Sequence, residues 1–214
     1  MAQDNKTVWS EGMFLRPQHF QQNDRYVDWL VRSRVGGLTP YSWGLSELKI
    51  NRELLMSGKF SVDSCRGILD DGTPFAIPDH ADHPVPLMPG ESARNMLVYL
   101  ALPVRQPGGV ETVPVGRDDA AARLAAIETS VFDAVAGFDS QAAIQIGRAR
   151  FRFLLESDER AGYSCVGLAR IVEVRSDRSI VLDDRYIPPA LAFTASQPLV
   201  GYLTEIQGLL QQRG

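Results

Sequence analysis

The residues best suited to bind a metal lie in the segment Asp79-His80-Ala81-Asp82-His83. Imidazole nitrogens and carboxylate oxygens are zinc ligands, but a catalytic zinc site needs three protein ligands held by rigid elements. This segment lies in a proline-rich stretch, and the sequence offers no third strong ligand nearby. A metal-dependent hydrolase built on His80 and His83 is therefore only an alternative, and we expect solvated loop residues and no metal.

Other patterns typical of catalysis are missing from the sequence. It has no G-x-S-x-G elbow, phosphate loop or dinucleotide fingerprint, and Cys65 and Cys165 lie in no catalytic-cysteine context. Asp70-Asp71 and Asp183-Asp184 are paired carboxylates, but adjacent residues on a strand point to opposite faces, so both pairs indicate turns. We therefore expect no enzymatic activity, no catalytic residue and no cofactor.

Three arginines, Arg148, Arg150 and Arg152, recur at every second position. On one strand this spacing places all three guanidinium groups on the same face, opposite Phe151. Two interpretations remain open. The arginines either form a solvated face paired with acids of a neighbouring strand, or they form a docking site for a partner that carries carboxylates.

The N-terminal block is rich in large apolar residues and leads into a polar helix. An extended segment with exposed apolar side chains either lies over the core of its own domain or binds a partner, and the residue types alone do not decide. The candidate interface residues of this block are Trp9, Met13, Phe14, Leu15, Pro17, Gln18, His19 and Phe20.

Composition and charge exclude several classes of protein. The chain has 214 residues, 44% of them hydrophobic and 22% charged, which is typical of a globular protein. A net charge of −4 gives no overall basic field, so we expect no nucleic-acid partner. The sequence holds neither a secretory apolar region nor an apolar run long enough to span a membrane, and its two cysteines are too few for a disulfide framework. We therefore expect a cytoplasmic protein without direct membrane insertion.

The elements predicted from periodicity are an amphipathic helix over 17–34 and a series of strands separated by Gly, Pro and Asp. This pattern predicts a mainly β fold, an antiparallel β-sandwich with an N-terminal amphipathic helix and a C-terminal helix. Residues 96–102 and 166–174 are apolar on both faces, which predicts central strands or strands covered by another subunit. The predicted strands are 44–50, 59–69, 74–77, 96–103, 110–115, 129–136, 141–155, 162–174 and 179–182.

Local signals refine this picture. Asp71-Gly72 predicts a hairpin turn, and the four prolines of 78–92 predict a surface loop or edge. Residues 118–128 have high helix propensity, which predicts a short helix on the rim of the sandwich. A change of apolar phase at Gly147 predicts a β-bulge.

The last predicted helix follows Ser196 and carries apolar residues at the 4-3-4 spacing of a coiled-coil seam. An apolar stripe of this kind requires a partner, so we expect either self-association through it or a chain that is part of a longer polypeptide. The residues of the seam are Leu199, Leu203, Ile206 and Leu210.

The run VWSEGMFLRPQHFQQNDRY, from Val8 to Tyr26, resembles the opening of the TssK family, also called ImpJ or VasE, of bacterial type VI secretion systems. Further similarities run along the chain. They are Trp43-Gly44-Leu45, Gly67, Asp71-Gly72, Phe75, Leu100-Ala101-Leu102-Pro103, Leu168-Ala169-Arg170-Ile171, Leu182-Asp183 and Ile187-Pro188-Pro189-Ala190-Leu191.

The resemblance implies a structural adaptor of the baseplate that acts as a homotrimer. Its β-sandwich would resemble the shoulder domain of phage receptor-binding proteins and attach to the wedge subunits TssF and TssG, on the cytoplasmic side of the inner membrane. Residues 1–190 would form this shoulder, and 191–214 would begin a helical trimerisation domain. In the longer family members a head domain contacts the membrane complex, and it has no counterpart here.

A carbohydrate-binding sandwich is the alternative function, since phage receptor-binding relatives recognise glycans. Its candidate stacking residues would be Trp9, Trp29 and Trp43.

Overall fold

The computed structural model describes residues 4–117, 119 and 121–212. The chain divides into two compact units, the first ending at Ser42 and the second beginning at Trp43. The mainly β prediction with a helix near each end is confirmed. The elements are α1 (Pro17–Gly36), β1 (Gly44–Ile50), α2 (Arg52–Met56), β2 (Val62–Ile68), β3 (Pro74–Ile77), β4 (Met96–Pro103), β5 (Thr112–Val113), β6 (Leu124–Asp133), β7 (Gly137–Ala149), β8 (Arg152–Leu155), β9 (Tyr163–Val174), β10 (Ile180–Leu182), a 3₁₀ turn (Phe193–Ala195) and α3 (Gln197–Gln211).

Two antiparallel sheets of the second unit share one hydrophobic core. One has the order β1-β2-β3 and the other β10-β9-β4-β8. Aromatic pairs join them, with ring centroids 5.3 Å apart for Phe60 and Phe153 and 5.2 Å apart for Phe75 and Phe151. Because side chains alternate along a strand, each sheet gives one face to this core and keeps the other outside.

The two strands predicted to be central are confirmed. β4 and β9 pair along their length between β8 and β10, and Val166, Leu168 and Ile171 of β9 are fully buried in the core of their own chain. These apolar residues of β9 therefore need no second subunit to cover them, and of the two alternatives the central strand is the one observed.

The turn predicted at Asp71-Gly72 is present and connects β2 to β3. Gly72 has φ +81°, which favours glycine, and the Thr73 N–H donates to Asp71 Oδ1 at 2.9 Å. Arg123 fastens the turn from outside the hairpin, because its Nη2 lies 2.8 Å from Asp71 Oδ2 and its Nη1 donates to the Pro103 carbonyl at 2.7 Å.

A third sheet, β5-β6-β7, corrects two predictions. The short helix predicted at 118–128 is wrong over its described second half, because Leu124 begins β6, which pairs with β7 in a long antiparallel hairpin. Residues 118 and 120 lie outside the described residues. The predicted bulge at Gly147 is also wrong, since Gly147 pairs in register with Ala126.

The predicted strand 141–155 is two strands in two sheets. β7 ends at Ala149, β8 begins at Arg152, and the chain passes from the third sheet to the sandwich between them. The change of apolar phase that suggested a bulge therefore marks a crossing between sheets. The loop prediction for 78–92 is confirmed, with only isolated bridges such as Phe60 to Leu87.

Candidate protein interface

The N-terminal segment folds back along α1 inside the first unit. The Thr7 hydroxyl donates to the His19 carbonyl at 3.1 Å, and Gln22 Nε2 donates to the Asn5 carbonyl at 2.7 Å. The Trp9 ring lies over the start of the helix, with its centroid 6.1 Å from that of Phe20. We call residues 5–16 the strap; it lies antiparallel to the first two turns of α1.

His19 closes the start of α1. Its Nδ1 accepts the N–H of the N-cap residue Arg16 at 3.0 Å, while Pro17 at the first helical position needs no hydrogen-bond acceptor. The ring centroid of His19 also lies 6.2 Å from that of Trp9. Through these two contacts His19 connects the strap to the first turn of α1.

The strap and α1 leave large apolar side chains in solvent. Phe14 is 84% exposed and Phe20 is 54% exposed, and no residue of α1 is buried. Phe20 therefore does not lie buried over the core of its own domain, which was one of the two alternatives for this block. Among the other predicted residues of this block Trp9, Leu15, Pro17 and Gln18 are exposed, and Met13 and His19 are partly buried.

One face of α1 continues this apolar surface. Phe20, Val27, Val31 and Val35 are spaced by seven, four and four residues, so they lie on one side of the helix, and all four are exposed. We call these residues together with Phe14 and Leu15 the N-terminal apolar surface. The prediction of apolar residues at helical spacing is confirmed, but the stripe is not packed in the core.

The predicted arginine stripe does not exist as one strand face. Arg148 lies in β7, Arg152 lies in β8, and Arg150 lies between the two strands. The alternation that would align the three side chains is interrupted where the chain changes sheets. Whether any of the three meets a partner remains a prediction.

Each of these arginines interacts with its own chain. Arg148 Nη2 donates to the Pro78 carbonyl at 2.8 Å, and its Nε lies 3.0 Å from Asp82 Oδ1 in an ion pair without hydrogen-bond alignment. Arg150 Nη1 donates to the carbonyl oxygens of two residues in the preceding loop. The Arg152 guanidinium lies over the Tyr163 ring, 5.1 Å from its centroid.

The seam predicted for the last helix is present on α3. Leu199 is partly buried, and Leu203, Ile206 and Leu210 are exposed on the same side of the helix. The helix has no buried residue. Its apolar stripe is a second candidate surface for a partner helix.

The outer face of the sheet β10-β9-β4-β8 holds a cluster that the sequence analysis missed. The Arg160 guanidinium lies 4.3 Å from the Tyr99 ring centroid, and that of Arg170 lies 5.8 Å from the Tyr186 centroid. Both rings meet above Gly167, where a Cβ would lie 2.5 Å from the Tyr186 hydroxyl. A glycine inside an apolar strand was the available signal, because it indicates the close approach of another group.

The side chains considered for catalysis are buried or bonded to their own chain. Burial raises the pKa of the Cys65 thiol to about 12, so it is not a thiolate nucleophile. His83 Nε2 lies 3.1 Å from the Asp63 carbonyl oxygen, and Asp183 accepts the Arg185 N–H in a turn. In the described part of the chain, no three His, Cys, Asp or Glu side chains are grouped so that they could hold a metal.

The same part of the chain contains no helix that is both long and apolar enough to cross a membrane.

Comparison with known proteins gives consistent results. Residues 19–214 match the family described as bacterial type VI secretion, VC_A0110, EvfL, ImpJ and VasE. The chain is 46% identical over 214 residues to the type VI secretion system baseplate component TssK1 of Pseudomonas aeruginosa, covering all of this chain and 48% of that protein.

Solved structures agree on the fold. A crystal structure of TssK has a TM-score of 0.91 and 36% identity, over 98% of this chain and 48% of that one. The structure of a type VI secretion TssK-TssF-TssG baseplate subcomplex contains a chain with a TM-score of 0.85 and 23% identity, over 98% of this chain and 70% of that one. This chain spans about half the length of the curated relative that it matches. From the family match over 19–214 and the identity to TssK1, we conclude that it belongs to the TssK (ImpJ/VasE) family of type VI secretion proteins.

Proposed function

We propose that this chain is part of a structural, non-enzymatic subunit of the type VI secretion baseplate, and that its first unit attaches it to TssF and TssG. The observation that carries the proposal is the N-terminal apolar surface, where Phe14 of the strap and Phe20 and the valines of α1 lie exposed, with the strap hydrogen-bonded to the helix. Aromatic residues presented on a fixed element are typical of protein interfaces.

Relatives supply the identity of the partners. TssK1 is a baseplate component, and one similar structure is a TssK-TssF-TssG subcomplex. We propose the cytoplasmic side of the inner membrane as the location of the baseplate that contains this chain. The head domain that the resemblance connects with the membrane complex is not part of the proposal for these residues.

We also propose that the chain acts as a homotrimer and that α3 begins the helical domain that joins the three copies. The exposed seam of α3 supports this, because an apolar stripe at 4-3-4 spacing packs against like helices. Residues 1–190 as the shoulder and 191–214 as the start of the helical domain remain a prediction.

The carbohydrate-binding alternative has less support. Trp9 packs beside Phe20, and Trp43 is partly buried against the core of the second unit. Family membership favours the baseplate function.

The test compares two equally exposed apolar positions. Phe14→Asp places a charge in the N-terminal apolar surface, and Val85→Asp places one in the proline-rich loop, where Val85 is 85% exposed. We expect Phe14→Asp to weaken binding to purified TssF–TssG about tenfold or more, as for a central interface residue, and Val85→Asp to leave it unchanged. Biolayer interferometry measures both, with thermal unfolding as the control for folding. Equal binding by the two variants would contradict the proposed site.

A further inference from the structure

The outer face of the sheet β10-β9-β4-β8 carries side chains whose arrangement is built by three features of the backbone. Pairing aligns Tyr99 with Gly167 and Leu97 with Arg170, so all four residues face away from the core. An extra residue at Leu168 forms a bulge between these two pairs, which sets the side chains before and after it at different angles.

Gly167 lets two aromatic rings meet on this face. A Cβ at Gly167 would lie at ordinary contact distance from Tyr99, 3.8 Å from its Cε1, but only 2.5 Å from the Tyr186 hydroxyl, so a side chain here would displace the Tyr186 ring. Burial, followed by the influence of Tyr99, raises the pKa of Tyr186. Its hydroxyl therefore stays protonated and can donate a hydrogen bond.

Two arginines flank the rings. The guanidinium of Arg160 stacks on Tyr99, and that of Arg170 lies over Tyr186 while its Nη1 donates to Asn95 Oδ1 at 3.1 Å. Stacking on an aromatic face leaves the N–H groups at the edge of the guanidinium directed outward, where they match a carboxylate. Within the described residues neither arginine has a carboxylate at ion-pair distance.

Glu156, whose charge acts on Tyr186, is already bonded to the backbone. Glu156 Oε2 accepts the Leu97 N–H at 3.0 Å, which holds this carboxylate at the edge of the sheet. The cluster of Tyr99, Tyr186, Arg160 and Arg170, which we call the Arg-Tyr cluster, thus combines two positive charges with the residue types most frequent at the energetic centres of interfaces.

We propose that the Arg-Tyr cluster is a second docking site and that its occupant is an acidic segment of a baseplate partner, contributing two carboxylates to the two guanidinium groups. The inference rests on the proposed function, because TssF–TssG is taken as the source of the segment. The charge of the cluster argues for this occupant, since two guanidinium groups without an ion-pair partner among the described residues are complementary to carboxylates.

The first experiment measures binding to TssF–TssG at 50 and 300 mM NaCl. The test variant is Arg160→Glu with Arg170→Glu. The control is Lys49→Glu with Arg52→Glu, which changes the net charge equally at exposed positions of β1 and α2. We expect the test variant to weaken binding about tenfold at 50 mM and the control to change it less than twofold, with a smaller difference at 300 mM because salt screens exposed charges.

A second experiment does not depend on TssF–TssG. Hexaglutamate peptide and, separately, inorganic phosphate are titrated into the ¹⁵N-labelled chain while the Nε–Hε signals of Arg160 and Arg170 are followed. We expect both signals to move with the peptide, and phosphate at the same concentration to move them far less, because one peptide presents several carboxylates whereas phosphate is a single small anion.

The outcomes separate the two proposals. If the wild-type chain binds TssF–TssG and the test variant binds as well, the inference is overturned and the proposed function stands. If the wild-type chain does not bind, the proposed function fails and the peptide titration alone decides the inference. In the titration, the inference is overturned if the Arg160 and Arg170 signals do not move with the peptide, or if phosphate moves them equally. It is also overturned if light scattering shows a changed oligomeric state of the test variant, because the face would then bind a second copy of this chain.

Discussion

Arg123 is a buried charge that holds three separate segments together. Only 6% of the residue is exposed, and it bonds to Asp71, to the Thr73 hydroxyl and to the Pro103 carbonyl. Burial of Asp71 by itself favours its neutral form, but the hydrogen bond from Thr73 and the charge of Arg123 outweigh burial and lower the pKa of Asp71 from 3.8. The carboxylate is therefore the form that stabilises the fold.

We expect Asp71→Asn to lower the free energy of unfolding by about 1.5 to 3 kcal/mol at pH 7, because it removes a hydrogen-bonded charge from a buried partner. A lowered pKa stabilises the fold at pH values above the ordinary carboxyl pKa, and this contribution is lost as the pH falls through the lowered one. The difference between wild type and variant should therefore shrink below about pH 4. Urea unfolding across this range measures it.

The exposed carboxylate of Asp184 provides the control. Asp184→Asn should follow the wild type at each pH. A difference for Asp71→Asn that stays constant from pH 7 to pH 3 would show that the ion pair with Arg123 is not what the substitution removes.

At the scale of elements, α3 shows how far a periodic pattern predicts structure and where it stops. The 4-3-4 spacing of Leu203, Ile206 and their neighbours predicts the helix and its stripe, and both are present. An aspartate at either position would place a charge in the seam, so we expect Leu203→Asp with Ile206→Asp to shift the chain toward the monomer at high concentration. Light scattering measures the shift, and Thr204→Asp, on another side of the helix, is the control.

If the wild type is already monomeric at high concentration, or if the chain with Leu203→Asp and Ile206→Asp associates as the wild type does, the seam does not join copies of this chain.

Other elements could not be predicted because tertiary pairing overrides local preference. Residues 124–128 contain alanines that favour a helix, yet every residue of this stretch pairs with β7. The hairpin is far longer than the short stretch of sequence from which helix propensity is judged. The regular spacing of the three arginines was equally misleading. Side chains alternate between the two faces of a sheet only within one strand, and β7 ends before Arg150. By contrast, Asp71-Gly72 was predictable because a turn depends on residues adjacent in sequence.

The candidate sites differ in the same way. The N-terminal apolar surface lies within one short stretch of the chain, from Phe14 to Val35, so its apolar types and helical spacing were visible in the sequence. In the Arg-Tyr cluster, the pairing of β4 with β9 places Tyr99 and Arg170 on one face, and the segments before β9 and after β10 add Arg160 and Tyr186. No local pattern encodes that register.

At the scale of the whole molecule, the hydrophobic core belongs to the second unit alone. Its buried members run from Leu45 to Ala195, and α1 contributes none. Removal of residues 1–42 therefore takes away no core side chain. We expect the chain 43–214 to fold, with a free energy of unfolding within about 1 kcal/mol of the full chain, because surface changes outside a core have small effects.

The same deletion removes the whole N-terminal apolar surface. We expect 43–214 to lose binding to TssF–TssG far beyond the effect of Phe14→Asp, while urea unfolding followed by circular dichroism stays cooperative with a similar midpoint. The outer face of β9 remains in the shortened chain, so hexaglutamate should still move the Arg160 and Arg170 signals. A shortened chain that unfolds at much lower urea would show that the first unit stabilises the second, and loss of partner binding would then not locate the interface.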